Sequence, residues 1–178
     1  PKRLIAMKML MRNGYKLRAP EPEDLDAMYR FENEPTLWET SNPTGPYSRF
    51  YLKDYIATNR NDIYIDRQLR LMMVDDLDEV VGIVDLFRFE PFHNRAEVGI
   101  VIAPEHRGKG LGTLALQMLH EYAFGYLGLH QLHASALTGN RAAQALFRKA
   151  GYEVVATLKE WIRVGDSYSD VVVMQLVP

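Results

Sequence analysis

Three glycines at alternate positions, Gly108, Gly110 and Gly112, are interleaved with Lys109 and preceded by Arg107, directly after an apolar run over residues 98–102. Glycine lets the main chain come close to a ligand and turn successive N–H groups on a single anion. Arg107 and Lys109 add positive charge. The segment that follows is amphipathic, so the turn opens a helix whose first unpaired N–H groups and macrodipole also favour phosphate. The chemistry of this stretch is the holding of a pyrophosphate.

Spacing separates the glycine-loop types. A P-loop ending at Gly108-Lys109 requires glycine at 103 and a hydroxyl at 110, where Ala103 and Gly110 stand. A dinucleotide fingerprint is loosely met by Gly110, Gly112 and Ala115, but it needs an acid about 20 residues on for the ribose. Around residue 130 the chain reads LGLHQLHASAL, with no acid. What remains is Arg107, Gly110 and Gly112 at the spacing Arg-x-x-Gly-x-Gly.

The elements that position this turn follow from periodicity. Residues 15–18 read as a strand, followed by an acidic helix whose start is marked by Pro20, Pro22 and acids in its first turn. NPTGP at 42–46 breaks the chain before a second helix over about 48–58. Apolar, β-branched runs at 69–74 and 80–89, joined by the acidic turn DDLDE, form a hairpin, and a further strand covers 97–102. After the glycines, Leu111, Leu114, Ala115, Met118, Leu119, Tyr122 and Ala123 recur at helical spacing and mark a buried face. A strand over 130–137, a helix over 140–150 ended by Gly151, and two strands over 153–161 and 169–177 complete the order.

The length of 178 residues suggests one domain, with residues 1–13 as a flexible extension. Composition, 47% hydrophobic and 25% charged, is that of an ordinary globular protein. No apolar run reaches the roughly 20 residues that cross a bilayer, and the amino-terminal stretch lacks the features of a signal peptide, so a cytoplasmic protein without membrane partners is expected. The absence of cysteine excludes disulfides, a thiol nucleophile and thiolate metal sites. A net charge of -2 argues against a nucleic-acid partner. His130 and His133, three apart in a strand, face opposite sides and cannot chelate one ion, so no metal is expected.

The Arg107, Gly110, Gly112 pattern resembles the acyl-CoA signature of the GNAT N-acetyltransferases, and the order of elements resembles theirs. GNRAAQALFRKAGYEVV resembles the family's Asn-x-x-Ala-x-x-x-Tyr/Phe-x-Lys-x-Gly-Phe/Tyr motif, and DSYSDVVVMQLV the final strand of its ribosomal-protein-acetylating and spermidine-acetylating branches. The resemblance runs from about residue 15 to 177. It implies an α/β (α+β) fold with a mixed, mostly antiparallel sheet of about six or seven strands, helices on both faces and a splayed central parallel pair. Acetyl-CoA would lie in the splay, with main-chain groups of Ile100, Val101 and Ile102 on the pantetheine arm and the amides of Arg107, Gly108, Lys109, Gly110, Leu111, Gly112 and Thr113 around the pyrophosphate. By the same resemblance Asn140, besides capping its helix, reaches the arm, and Lys149 approaches the nucleotide end. Phe147 stands where many relatives carry a tyrosine that donates to the departing sulfur.

An alkylammonium titrates near pH 10, so an amine acceptor has to lose a proton before it attacks. Without cysteine or a Gly-x-Ser-x-Gly elbow, direct attack on the thioester is expected rather than a covalent acyl-enzyme. Glu97, in the strand leading to the slot, is the candidate base, its structural alternative being a pairing with Arg95 or a backbone group. In the family the acceptor is contacted by the first two helices and the last hairpin. Residues 21–40 hold seven acids, Glu32 and Glu34 among them, against Arg30 alone, which suits a cationic acceptor or simply a solvated helix face. Trp38 and Tyr47 are candidate pocket walls. RAPEPEDL and GPYSRFYLKDYI resemble the spermidine-acetylating branch, although Thr44 and Gly45 stand where its acids precede the Pro-Tyr pair. The expected acceptor is a protein amino terminus or a small amine; the alternatives are a polyamine, or a noncatalytic acyl-CoA sensor resting on Phe147. A homodimer is the family's habit.

Overall fold

Alternating burial along the strands builds two layers of core on one sheet. The computed structural model describes residues 1–35 and 45–178. Its elements are α1 (Lys2–Met9), β1 (Met11–Arg12), β2 (Tyr15–Arg18), a 3-10 turn (Pro22–Asp24) running into α2 (Leu25–Glu32), α3 (Arg49–Thr58), α4 (Ile63–Asp66), β3 (Leu69–Val74), β4 (Val80–Glu90), β5 (Arg95–Ile102), α5 (Leu111–His120), β6 (Gln131–Leu137), α6 (Arg141–Lys149), β7 (Glu153–Val164) and β8 (Ser167–Leu176). Leu69, Leu71 and Met73 point into one core with Leu86, Val98, Leu114, Met118 and Phe147, the side covered by α5 and α6. Met72, Val74 and Ile83 point the other way, onto Met28, Phe31 and Leu52 of α2 and α3. Both faces of the sheet therefore carry helices, and successive residues of β3 serve opposite layers.

The strands lie in the order β1-β2-β3-β4-β5-β6-β8-β7. Among the described residues β5 and β6 form the one parallel pair; every other neighbour is antiparallel. A parallel step needs a long crossover, and α5 supplies it. The sheet has eight strands rather than six or seven, the addition being the two-residue β1. Residues 1–13, expected as an extension, instead form α1 and β1. Ala6 is buried, and Met9 lies 3.1 Å from where a Cβ on Gly125 would stand, so the glycine makes room for the helix. Trp38 and the breaker residues 42–44 lie outside the described residues. No described helix is long and apolar enough to cross a membrane.

Local signals account for the element ends. Ser48 caps α3 by accepting from the Tyr51 N–H at 3.0 Å, and Asn140 caps α6 by accepting from the Ala143 N–H at 3.1 Å. Gly151 leaves α6 at φ +101°, where other residues are strained. In the β3–β4 hairpin, one Asp75 carboxylate oxygen accepts from the N–H groups of Leu77 and Glu79, both at 2.9 Å. All seven expected residues of the α5 face are buried or half-buried, and Tyr122 is carried onto it by a π turn over Glu121–Tyr126 in which the Leu127 N–H donates to the Tyr122 carbonyl.

Close approach of β4 and β5 rests on Gly82. A Cβ there would stand 2.7 Å from the Val101 carbonyl oxygen and 2.8 Å from the Ile102 Cδ1. The oxygen belongs to the ladder and cannot retreat without breaking it. Gly82→Ala is expected to destabilise the protein by about 1–3 kcal/mol, the usual cost of overpacking. A thermal melt reads this as a Tm several degrees lower; an unchanged Tm would contradict the contact.

Candidate active site

The parallel pair β5–β6 is registered only at Arg95↔Gln131, Ala96↔Leu132 and Glu97↔His133. Beyond Glu97, β5 stays with β4 as far as Ile102↔Gly82, while β6 follows β8 as far as Leu137↔Val171. The two strands thus part like a V with Glu97 and His133 at its apex. In the antiparallel β4–β5 ladder, alternate residues direct their main-chain groups at the partner. The Ala103 N–H donates to the Val81 carbonyl, and the Val101 oxygen lies against Gly82. The main-chain groups of Gly99 and Val101 therefore face β4, and those of Ile100 and Ile102 face the open edge. This corrects the expectation for Val101, whose main chain is turned away from the slot and whose side chain packs toward α2 and α3.

At the wide end of the V the chain turns through Pro104–His106 into the glycines. Gly108 and Gly110 have φ +76° and +77°, and a Cβ on either would meet nothing within 4 Å, so the space above the turn is open. The first bond of α5 runs from the Leu114 N–H to the Gly110 carbonyl at 3.1 Å, which leaves the N–H groups of Leu111, Gly112 and Thr113 as the unpaired start of the helix. Lys109 is exposed and, with Thr113, Gln117, Asn13 and Tyr15, lines an open groove of about 340 Å³ beside that helix start. Two members of the expected set serve the turn itself. Arg107 spends its N–H on the Pro104 carbonyl and its Nε–H on the Ile102 carbonyl at 3.1 Å, bracketing the turn to the strand end. Gly112 faces Leu146, whose methyls would be 3.2 Å from an added Cβ, so this glycine sets the approach of α5 to α6. An open strand edge leading to unpaired N–H groups fits a long, amide-bearing thioester that ends in a pyrophosphate.

Glu97 is 4% exposed and accepts a hydrogen bond at 2.9 Å from Arg88 Nη1. Arg95, the expected alternative partner, pairs with Glu90 at 2.5 Å. Arg88 was not foreseen. It sits in a β4 bulge, where Phe87↔Glu97 and Glu90↔Arg95 leave one extra residue on β4, and its φ of +49° swings its side chain toward Glu97. Its own side chain is 76% exposed, so the pair has one buried and one solvated member. Burial pushes the His133 imidazole below its ordinary range, the nearby Glu97 charge working against that shift.

On the other wall, Phe147 is buried and meets the Tyr152 ring edge-on at 5.0 Å, part of the core that α6 shares with α5. The Tyr152 hydroxyl shares a hydrogen bond of 2.9 Å with His120 Nε2. Burial brings His120 down to about 4 and raises Tyr152, so the pair is uncharged at neutral pH and holds the end of α5 to the start of β7. Asn140 is half-buried and its carboxamide oxygen caps α6; Lys149 is exposed at the far end of the same helix.

The candidate acceptor residues are tied into structure. Arg70, a lone cation in an apolar strand, grips Asp85 through two bonds of 2.8 and 3.0 Å and Glu32 through one of 2.6 Å. Glu32 is therefore held by Arg70. Asp24 pairs with Arg18 at 2.7 Å, and Asp26 with Arg49. Glu34 is half-buried. The Asn33 side chain holds Tyr47 by both its main-chain groups, at 2.9 and 3.0 Å, with the Tyr51 ring 5.5 Å away. Burial, and then the Glu32 charge, raise the Tyr47 phenol. Burial pushes Tyr55, which flanks Arg70, up to about 12.

Three comparisons bear on this site. Over 169 residues, 91% of this chain and 85% of the relative, the sequence is 30% identical to a spermidine N(1)-acetyltransferase of Escherichia coli K12. It is 33% identical over 109 residues, 60% of this chain and 63% of the relative, to an L-methionine sulfoximine/L-methionine sulfone acetyltransferase of Pseudomonas aeruginosa. A solved spermidine N-acetyltransferase from Vibrio cholerae, in complex with CoA and spermine, superposes with a TM-score of 0.85 at 26% identity, covering 93% of this chain and 96% of that one. Residues 15–153 match the model of the acetyltransferase (GNAT) domain. That span contains the parting strands, the glycine turn and the Asn140 helix, and from it we conclude that the chain belongs to the GNAT acetyltransferases and is an N-acetyltransferase with acetyl-CoA as its acetyl donor.

Proposed function

We propose that the chain transfers the acetyl group of acetyl-CoA to a primary amine of a small cationic molecule of the polyamine class, with Glu97 as the proton acceptor. The observation that carries the proposal is the buried Glu97 carboxylate at the apex where β5 and β6 part. At neutral pH about one alkylamine in a thousand is neutral, a cost of about 4 kcal/mol that a placed base lessens. Acetyl-CoA supplies an activated acyl group on a thiol leaving group. The Ile100 N–H at the open edge is the chain's donor to the carbonyl oxygen as charge develops there, and the N–H groups from Gly108 to Thr113 take the pyrophosphate. Phe147 donates nothing to the sulfur; a thiol titrating near 8.5 leaves without a strong acid. The similarity along 91% of the chain to a spermidine enzyme supports the acceptor class. A peptide amino terminus is the second reading, favoured by the pairing of Asp26 and Glu32 with Arg49 and Arg70, which lowers the negative charge left to draw a polycation. Self-association belongs to the same proposal: the Vibrio cholerae enzyme has a dodecameric structure, and β7 leaves Val155 and Trp161 exposed on an edge strand.

CoA release measured with spermidine, spermine and short peptides tests the acceptor. The fastest turnover is expected with a polyamine; turnover with peptides alone would overturn that choice. Glu97→Gln is expected to lower kcat by roughly 10²-fold at neutral pH. The loss should shrink as pH rises toward the amine pKa, because the acceptor then arrives neutral, and KM for acetyl-CoA should hold. A parallel pH-rate profile in the variant would remove Glu97 as the base. Gly110→Ala forces a side chain into a left-handed conformation costing about 1–2 kcal/mol, and should raise KM for acetyl-CoA by roughly ten-fold with little change in amine preference. Unchanged cofactor affinity would contradict the role of the turn.

A further inference from the structure

The apex residue Glu97 does not stand alone on its face of the sheet. Its cross-strand partner is His133 on β6; the partner of His133 on β8 is Gln175, and that of Gln175 on β7 is Glu153. Directly paired residues share a face, and neighbouring strands lie about 4.8 Å apart, so these four side chains form one polar row perpendicular to the strands. The row starts at a buried carboxylate, passes a half-buried imidazole and ends at an exposed carboxylate on the sheet edge. Nothing in the packing of the core asks for it. The opposite face of the same strands is filled by Ala96, Leu132 and Met174. An open groove of about 330 Å³ is lined by His133 and Gln175 of this row together with Arg88 and Arg95, so His133 has access to water while Glu97 is closed off from it. Gln175 is fixed in place by a hydrogen bond to Gln131.

We propose that His133 is the proton-relay partner of Glu97, carrying the acceptor's proton from the buried carboxylate to the solvent-filled groove. The inference rests on Glu97 being the base. The proton that Glu97 receives from each acceptor has to be handed on before the carboxylate can act in the next cycle. In the relay the amine N–H breaks as an O–H forms on Glu97. That O–H then breaks as an N–H forms on the His133 ring. The imidazolium releases the proton to groove water, and both groups return to their starting charge. The charged groups around the ring are Glu97 and Arg95 from β5 and Arg88 and Glu90 from β4. Burial lowers the imidazole's pKa, so the ring is neutral and able to accept at pH 7 and gives the proton up readily. His133 acts through Glu97 and has no contact with the acetyl group in this scheme.

Two measurements on the full chain test the relay. In the first, NMR follows the titration of the His133 ring in the wild type and in Glu97→Gln, with no acceptor present. Removing the carboxylate should move the His133 pKa further down; an identical titration would overturn the coupling. In the second, kcat is measured against pH with the best amine of the panel. His133→Gln should reduce kcat roughly ten-fold, leave KM for acetyl-CoA unchanged and lose the acid limb that protonation of the ring gives the wild-type profile. Added imidazole should restore part of the rate to His133→Ala, which a merely structural role would not allow. Wild-type kcat and pH profile in His133→Gln would overturn the relay and leave Glu97 standing as base. An undiminished rate in Glu97→Gln would overturn the base and the relay together. The NMR arm decides the coupling even where a histidine variant fails to fold.

Discussion

A β-strand with one edge paired and the other bare carries hydrogen-bonding groups that need partners, and the upper half of β5 is such a strand. Its pairing with β6 ends at Glu97, so Ile100 and Ile102 present main-chain groups to a gap rather than to a neighbour. The Ile102 carbonyl already has its partner in the Arg107 side chain. What is left over is a short row of donors and acceptors leading from Glu97 to the glycine turn. A ligand with amides along its length and a pyrophosphate at its end satisfies both in one binding event.

The rest of the fold holds that gap open. β6 is drawn away because it pairs along its length with β8, and the antiparallel β7–β8 hairpin stiffens that side. β5 is held on the other side by β4, where Gly82 and Gly99 leave no Cβ in the way: one at Gly99 would lie 3.3 Å from the Phe87 ring. The core under α5 and α6 fixes the turn against the sheet through fully buried Leu116, Met118 and Leu119. Each such side chain stabilises by about 1.5–3 kcal/mol. The opposite layer, where α2 and α3 cover Met72 and Ile83, carries Arg70 with its two carboxylates. Losing Arg70 there would take from Asp85 the guanidinium that grips both its carboxylate oxygens.

Much of this was legible in the residues. Glycine spacing located the turn, helical periodicity predicted the buried face of α5, and Asn140 with Gly151 marked both ends of α6, because these features depend on local conformation alone. The parting of β5 from β6 is a matter of register between residues far apart in the chain, and only the resemblance to a family implied it. The same limit explains Val101. A run of three apolar residues does not say which of them faces the gap, and that parity is set by the β4 ladder. Arg88 reached Glu97 through a bulge and a left-handed φ, neither of which its neighbours in the sequence announce. Arg70 did leave a signal: one arginine in LRLMMV asks for a buried carboxylate. Of the acids in residues 21–40, which suited a cationic acceptor or a solvated face alike, Asp24, Asp26 and Glu32 find Arg18, Arg49 and Arg70, partners that come from other elements.

Hydrogen exchange resolved to single amides tests the open edge most directly. In the protein alone the amides of Ile100 and Ile102 should exchange faster than those of Gly99 and Val101, which belong to the β4 ladder. Addition of acetyl-CoA should slow Ile100 and Ile102 together with Gly110, Leu111 and Gly112, and leave Gly99 and Val101 unchanged. Protection spread evenly along β5, or confined to residues outside the gap and the turn, would contradict a binding slot made by the parting of β5 and β6.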